Sequence, residues 1–335
     1  MKTTEQEQRL INLYLTAIRD NILGYTYRDP EFQPADATQL PFNREARSKG
    51  QTWPFLAQTM AGEHRIDNVR ALVEDVETKG IPGDFIETGV WRGGCSLMAA
   101  AVMQAYDIKD RKVIVCDSFD GLPPPNTGKY PTDEGDKHFE ALFLKVSIHE
   151  VIENFKGYGL LNPDRIRFIM GLFGDTLPKL VEGGFNQDEW PLEVKQFSVI
   201  RLDGDMYEST IQALENLYPL LSVGGHLIID DYGLPNCVKA INDYREFHGL
   251  DEELVGIDES SKYWTKVKEI DPELAKHRFG ATPPPQQQQD LNVPGADGTN
   301  QNPYNLSNEQ IAQGQAPTES GFSDPNKGSA ISSDF

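Results

Sequence analysis

The chain has 335 residues, of which 38% are hydrophobic, and a formal net charge of −21 at pH 7. This length allows one large domain or two small ones, with enough apolar side chains for a buried core. The negative charge argues against nucleic acid and anionic membranes as partners, because both would be repelled.

The cysteines indicate a reducing compartment. Cys95, Cys116 and Cys237 form no C-x-x-C pair, and an odd number does not suit a disulfide framework. The first residues lack the apolar core of a signal peptide, and no stretch approaches the roughly 20 apolar residues of a membrane helix. We therefore expect a soluble, cytoplasmic protein.

Residues 1–80 are predicted to form a helical N-terminal extension. Apolar side chains recur at helical spacing from Leu10 to Ile18 and again from Ile66 to Val76. The stretch between them, residues 29–51, contains prolines and is interpreted as a loop.

Residues 81–270 alternate short apolar runs with longer amphipathic stretches. The runs interpreted as buried strands are residues 85–86, 113–116, 166–169, 197–200 and 226–229. The amphipathic stretches include residues 139–155 and 210–221. This alternation predicts an α/β fold with a parallel sheet covered on both faces. Two further short segments, residues 254–257 and 263–267, could form a terminal hairpin.

Residues 281–335 are predicted to be a disordered, low-complexity tail. Pro, Gln, Asn, Gly and Ser dominate there, starting from the run Pro283 to Gln289. So little apolar surface does not offset the entropy lost on ordering. An alternative is a short partner-binding segment around Tyr304 to Leu306.

A glycine-rich turn follows the first predicted strand. Gly89, Gly93 and Gly94 are spaced G-x-x-x-G-G, which weakens a dinucleotide interpretation based on G-x-G-x-x-G. Glycine lets a ligand approach the backbone closely at the carboxyl end of a strand. Glu87 before the turn suits a cationic or hydroxyl-rich ligand better than a pyrophosphate. The alternative is a purely structural turn.

Acidic residues also follow the second and third predicted strands. Asp117 can accept hydrogen bonds from both hydroxyls of a ribose, and the alternative role is a turn or helix cap. Asp175 could cap a helix or accept a hydrogen bond from the amine of an adenine. Its position in the sequence leaves both roles open.

Four carboxylates follow the fourth and fifth predicted strands: Asp203, Asp205, Asp230 and Asp231. Convergence of unpaired carboxylates is costly, and a hard divalent cation that prefers oxygen ligands relieves it. The alternative is a set of surface turns and helix caps without a metal. His138 follows the acidic, Pro-rich residues 123–137, which are typical of a mobile lid, and is a candidate substrate contact.

Together these motifs resemble the macrocin O-methyltransferase family over about residues 10–267. The matching motifs are Thr59-Met60-Ala61-Gly62 with Arg65, residues 87–94, residues 117–123, residues 174–178, residues 202–210 and Asp230-Asp231-Tyr232. The resemblance implies a Rossmann-like class I methyltransferase fold, with seven mostly parallel strands and a C-terminal antiparallel hairpin. Family members methylate sugar hydroxyls on macrolide and other antibiotic scaffolds.

The resemblance also implies S-adenosyl-L-methionine as cofactor, together with Mg²⁺ or another divalent cation. The candidate cofactor-binding residues are Thr59, Met60, Glu87, Thr88, Gly89, Val90, Trp91, Arg92, Gly93, Ser96, Asp117, Ser118, Phe119, Asp175 and Thr176. The implied metal ligands are Asp203, Asp230 and Asp231, with Asp203 also the catalytic base. Tyr207 joins His138 as a candidate substrate contact.

The expected partner is a small-molecule acceptor, a sugar or glycoside, and the helical extension could mediate self-association. Two other functions remain open at this point. Asp203-Gly204-Asp205 is a D-x-D motif, which is typical of metal-dependent glycosyltransferases. The chain could also be a non-catalytic scaffold that keeps the methyltransferase fold and acts through its tail.

Overall fold

A computed structural model describes residues 3–183, 186–187 and 190–280, and the predicted tail lies outside the described residues. The N-terminal elements are α1 (Glu5–Ile22), β1 (Glu31–Gln33), β2 (Thr38–Leu40), α2 (Arg44–Ser48), β3 (Trp53–Pro54) and α3 (Gly62–Lys79). The two predicted helices are present as α1 and α3. The interpretation of residues 29–51 as a loop was wrong, since β1 pairs antiparallel with both β2 and β3. Strands of two or three residues are too short to show a period in the sequence.

The remaining elements alternate as predicted. They are β4 (Asp84–Thr88), α4 (Gly94–Ala105), β5 (Val113–Asp117), α5 (Ile148–Gly157), β6 (Ile166–Met170), α6 (Phe173–Val181), β7 (Asn186–Gln187), β8 (Trp190–Pro191), β9 (Phe197–Leu202), α7 (Tyr207–Leu217), β10 (Leu221–Ile229), α8 (Pro235–His248), β11 (Val255–Gly256) and β12 (Lys262–Thr265). Seven strands form one sheet in the order β11-β12-β10-β9-β4-β5-β6. Five are parallel, while β12 runs antiparallel to β10 and β11. The α/β class and the terminal hairpin are confirmed.

The amphipathic stretch 139–155 is not one helix. Its first part forms two 3-10 turns, His138–Glu140 and Leu142–Leu144, and α5 begins only after Ser147. The Ser147 hydroxyl accepts a hydrogen bond from the N–H of Glu150 and so caps the helix. The residues that precede this cap belong to a long β5–α5 loop, residues 118–147, which lies over the end of the sheet.

Helices cover both faces of the sheet, so its strands are buried on both sides. Every residue of β4 and β9 is buried. Neighbouring residues alternate between two cores: Phe85 packs with α1, α3, α4 and α5, and Ile86 packs with α6, α7 and α8. Each fully buried apolar side chain contributes roughly 1.5–3 kcal/mol. Among the residues that the structure describes, no helix is long and apolar enough to cross a membrane.

Candidate active site

A cavity of about 430 Å³ opens at the carboxyl ends of the parallel strands. Its walls come from the turns after β4, β5, β6, β9 and β10, from the β5–α5 loop and from the segment around β3. This volume lies within the usual range of small-molecule sites, roughly 300–1,000 Å³. The predicted convergence of motifs at one sheet edge is therefore present.

The glycine turn after β4 packs directly against the turn after β9. Gly89 has a φ of 85°, and a Cβ atom placed on it would overlap the backbone carbonyl oxygen of Asp203. The N–H of Asp203 donates to the carbonyl of Thr88 at 2.8 Å, and the N–H of Gly89 donates to Cys116 at 2.9 Å. Only glycine allows this conformation and this approach of two backbones.

Asp117 at the end of β5 is oriented by the glycine turn. Its carboxylate accepts hydrogen bonds from the N–H groups of Val90 and Phe119, both at 2.8 Å. Burial raises its pKa, although these hydrogen bonds act in the opposite direction. The Ser118 hydroxyl also donates to this carboxylate at 3.3 Å, and Asp117 lies on the cavity wall.

The predicted cofactor residues divide into two groups. On the cavity wall lie Thr59, Met60, Glu87, Gly89, Val90, Trp91, Asp117, Ser118 and Asp175. Behind it lie Thr88, Arg92, Gly93, Ser96, Phe119 and Thr176. Members of the second group support the wall: Arg92 donates to the carbonyls of Pro54 and Ala57, and the Thr176 hydroxyl donates to Leu172.

Asp175 lies in the first turn of α6 and is not its cap. The N-cap position belongs to Leu172, whose side chain makes no capping hydrogen bond. The helix-cap alternative for Asp175 was therefore wrong, and its side chain is on the cavity wall instead.

A buried arginine that the motif analysis did not single out joins the glycine turn to the acidic residues. The Arg201 guanidinium, on β9, donates to Glu87 at 2.6 Å, to Asp203 at 2.7 Å and to Asp230. Arg201 is only 1% exposed. A charged residue inside an otherwise apolar strand was the signal that could have identified it, since such residues are almost never buried unpaired.

Asp230 faces a second arginine as well. Arg65 on α3 donates to Asp230 at 2.5 Å and to Asp258 at 2.6 Å. Burial favours the protonated form of Asp230, but Arg201 and Arg65 together lower its pKa below the ordinary value. Asp230 is thus an ionised carboxylate whose two oxygens both accept from arginine.

Carboxylate oxygens of Asp203, Asp205 and Asp231 lie within 4.8 Å of one another. Burial, reinforced by Asp230, raises the pKa of Asp203 well above its ordinary value. Burial and the neighbouring Asp205 do the same for Asp231, and burial raises the pKa of Asp205 to about 6. Asp205 also has a φ of 61°, which is uncommon for a residue other than glycine.

This acidic cluster, Asp203, Asp205 and Asp231, differs from the predicted metal ligands in one member. The prediction contained Asp230, which here contacts the arginines, and omitted Asp205. Carboxylates at this spacing repel each other when ionised. A hard divalent cation, which prefers oxygen ligands, would relieve this repulsion. The donor set therefore suits Mg²⁺ or a similar ion.

The two predicted substrate contacts lie in different surroundings. His138 is on the cavity wall, with Nδ1 2.8 Å from Asp136 Oδ2. Burial lowers its pKa, but Asp136 and Asp205 outweigh this effect and raise it to about 9. Tyr207 is buried, and its hydroxyl donates to Asp243 at 2.9 Å. The structure does not bring Tyr207 to the cavity wall.

One part of the wall is aromatic and was not predicted. Trp53 from β3 packs against Phe143 of the β5–α5 loop, with ring centroids 4.6 Å apart, and both line the cavity. The indole N–H of Trp91 donates to the carbonyl of Phe143 at 3.1 Å. Leu122 and Leu144 extend this apolar surface. These residues are far apart in the chain, so no local motif reveals them.

The sheet order, the reversed hairpin and the glycine turn beside Asp117 define the fold of S-adenosylmethionine-dependent methyltransferases. The profile of one family of such enzymes, Macrocin-O-methyltransferase (TylF), matches residues 21–266. The chain belongs to this family and is an O-methyltransferase.

Individual relatives agree with this assignment. The chain is 39% identical over 259 residues to "Mycinamicin III 3''-O-methyltransferase" of Micromonospora griseorubida, covering 76% of this chain and 97% of the relative. It is 38% identical over 274 residues to "Demethyldecarbamoylnovobiocin O-methyltransferase" of Streptomyces niveus, covering 80% and 98%. The solved structure of the O-methyltransferase NovP matches with a TM-score of 0.69 and 38% identity, covering 77% and 100%. These matches do not support the glycosyltransferase and scaffold alternatives.

Proposed function

We propose that this enzyme transfers the methyl group of S-adenosylmethionine to a sugar hydroxyl of a glycosylated small molecule, with a divalent cation bound beside the acceptor. The observation that carries the proposal is the meeting of the glycine turn, Asp117 and the acidic cluster in one cavity. A further relative is 41% identical over 254 residues. Its name describes a 4'-O-methyltransferase whose substrate bears a rhamnosyl group.

The cofactor would bind on the β4 and β5 side of the cavity. The Gly89 turn lines this side and would hold the methionine part, and Asp117 on the same wall would accept hydrogen bonds from the ribose hydroxyls. Asp175 would lie near the adenine. Asp203, in the turn after β9, lines the same cavity and would lie near the methyl group of a cofactor held there.

Asp203 and Asp231 are the candidate metal ligands that the sequence prediction shares with the acidic cluster. Asp205 completes the set in the arrangement seen here, and Asp230 would join it only by releasing an arginine contact. When bound, a divalent cation would lower the pKa of a coordinated acceptor hydroxyl and neutralise the charge of the cluster.

The residues of this chain would then orient the acceptor and remove its proton. Asp203 belongs to the acidic cluster and has one oxygen held by Arg201, which suits a carboxylate that takes up the hydroxyl proton. Holding the acceptor oxygen in line with the methyl carbon supplies much of the rate. The β5–α5 loop would exclude water, and the surface of Trp53 and Phe143 would accept an apolar scaffold.

A methylation assay with labelled S-adenosylmethionine and a panel of glycosides tests the proposal. Asp203→Asn should keep cofactor affinity and lower turnover by about 10²–10⁴-fold, because a positioned base contributes on this scale. Asp251→Asn, at an exposed carboxylate away from the cavity, is the matched control. Full turnover in Asp203→Asn would show that the assigned role is wrong.

A further inference from the structure

The β5–α5 loop contains one carboxylate that is completely buried. Asp133 is 0% exposed, and its oxygens accept hydrogen bonds from the N–H of Tyr207 at 2.8 Å and the N–H of Glu208 at 2.9 Å. They also accept from the side-chain amide of Asn236 at 3.1 Å. Three donors therefore converge on the side chain of Asp133, although they lie far from the loop in the sequence.

The N–H groups from Tyr207 and Glu208 are the first of α7. The N-cap residue of that helix, Met206, makes no side-chain capping hydrogen bond. Asp133 therefore caps α7 from a distant segment and places a negative charge at the positive end of the helix dipole. Tyr130 packs beside this contact, with its ring centroid 6.1 Å from that of Tyr207.

Asp133 joins the β5–α5 loop to the starts of α7 and α8. These three segments lie next to the residues of the acidic cluster and to His138. Helix α7 directly follows the turn with Asp203 and Asp205, and Asn236 lies in the first turn of α8, which follows the turn with Asp231. The loop itself continues from Asp133 to His138, which lies on the cavity wall.

We infer that Asp133 is a positioning residue, which locks the β5–α5 loop onto the starts of α7 and α8 and thereby sets the acid-bearing turns and His138 in one arrangement. Asp133 touches no reacting atom, and it acts through the residues that it holds. The kinetic part of this inference rests on the proposed function, whereas its structural part does not.

Hydrogen exchange of the ligand-free enzyme tests the structural part. Asp133→Asn keeps the shape but replaces one acceptor with a donor that faces an N–H group. The amides of Tyr207 and Glu208 should exchange roughly tenfold faster, together with the β5–α5 loop and the first turn of α8. Glu134→Gln changes the exposed neighbouring carboxylate and should leave all three segments unchanged. Faster exchange confined to the loop, or none, would overturn the inference.

Kinetics with the acceptor identified by the methylation assay test the functional part. A misplacement far from the reacting atoms can cost about a hundredfold, so Asp133→Asn should lower kcat by tenfold to a hundredfold. The Kd for S-adenosylmethionine should stay unchanged, since that side of the cavity is held by β4 and β5. Asn236→Ala removes only the α8 contact and should show a smaller loss of kcat. An equal loss of cofactor affinity, or unchanged kcat, would reduce Asp133 to a structural role.

A wild-type enzyme that turns over no glycoside would contradict the proposed function alone. The hydrogen-exchange result would still decide whether Asp133 connects the three segments. The two failures are therefore distinguishable.

Discussion

At the scale of single residues, the turns after β4 and β9 meet at Gly89. Its backbone lies so close to the carbonyl of Asp203 that the position of the candidate base depends on the absence of a side chain. Gly80, at the end of α3, has a similar φ of 66° but nothing within 4 Å of the place where a Cβ would lie. Substitution of Gly80 therefore tests backbone strain alone, whereas substitution of Gly89 tests backbone strain together with steric overlap.

Gly89→Ala should be far more destabilising than Gly80→Ala. The left-handed conformation alone costs about 1–2 kcal/mol for an alanine, and Gly80→Ala should lose no more than this. Gly89→Ala must also separate two backbones, so we expect either no folded protein or a fold without cofactor binding. Urea unfolding and cofactor binding measured on both variants check this. Equal losses would mean that the turn can relax.

At the scale of elements, the small sheet of β1, β2 and β3 depends on one buried arginine. Arg47 on α2 is 0% exposed and pairs with Glu31 at 2.5 Å and with Asp29 at 3.4 Å. It also donates to the carbonyl of Leu23. These contacts hold the segment that ends at Trp53 and leads to Thr59 and Met60, which were predicted to bind the cofactor and lie on the cavity wall.

Arg47→Met should lower the free energy of unfolding by about 3–5 kcal/mol, because it leaves two buried carboxylates without a cation. Lys49→Met is the control on the same helix, since the Lys49–Glu45 pair is exposed and such pairs contribute little. Chemical denaturation of both variants gives the comparison. A loss in Arg47→Met no larger than in Lys49→Met would argue against a structural role for the pair.

Helix α7 carries a buried carboxyl group whose titration should be visible in stability. Burial raises the pKa of Glu215 from its ordinary value of 4.5 to about 7, although the N–H of Phe279 donates to it. The folded state therefore binds the proton more tightly than the unfolded state. The stabilisation that this bound proton gives to the folded state is fully present below pH 4.5 and is lost as pH rises to about 7.

Glu215→Gln should remove this pH dependence. The variant should match the wild type near pH 4.5 and exceed it above pH 7 by a free energy of unfolding on the order of 3 kcal/mol. Denaturant unfolding of both proteins at pH 5 and pH 8 measures the difference. Parallel stability profiles for the two proteins would show that Glu215 does not titrate in this range.

At the scale of the whole molecule, an excess of negative charge surrounds the cavity of a protein with net charge −21. Arg201 and Arg65 neutralise part of it through Glu87 and Asp230. The acidic cluster keeps three carboxylates with raised pKa values. Binding of a divalent cation should therefore stabilise the folded protein as a whole.

Addition of Mg²⁺ at about 100 times its Kd should stabilise the enzyme by about 2.7 kcal/mol, which is seen as a rise in Tm of several degrees. The rise should be lost in Asp203→Asn and Asp231→Asn and kept in Asp251→Asn, with ionic strength matched by NaCl. Chelation should also stop methylation. The same rise in all variants would show that the ion binds elsewhere.

The sequence alone predicted the sheet and the place of the site. The apolar runs of β4, β5, β6, β9 and β10 alternate with amphipathic stretches, and this alternation identified them as buried strands. Parallel strands bring their carboxyl ends to one edge, so Asp117, Asp175 and the four later aspartates had to face a common region. The glycine turn and the macrocin-like motifs then indicated the chemistry.

The tertiary structure decided which side chains act together there. Arg201 is 114 residues from Glu87, and Asp133 is 74 residues from Tyr207, so neither contact leaves a local pattern. The resemblance implied Asp230 as a metal ligand, whereas in the structure Asp230 accepts from Arg65 and Arg201 and Asp205 joins the acidic cluster. Residue spacing predicts periodic and adjacent contacts, whereas pairing across the fold depends on how helices pack on the finished sheet.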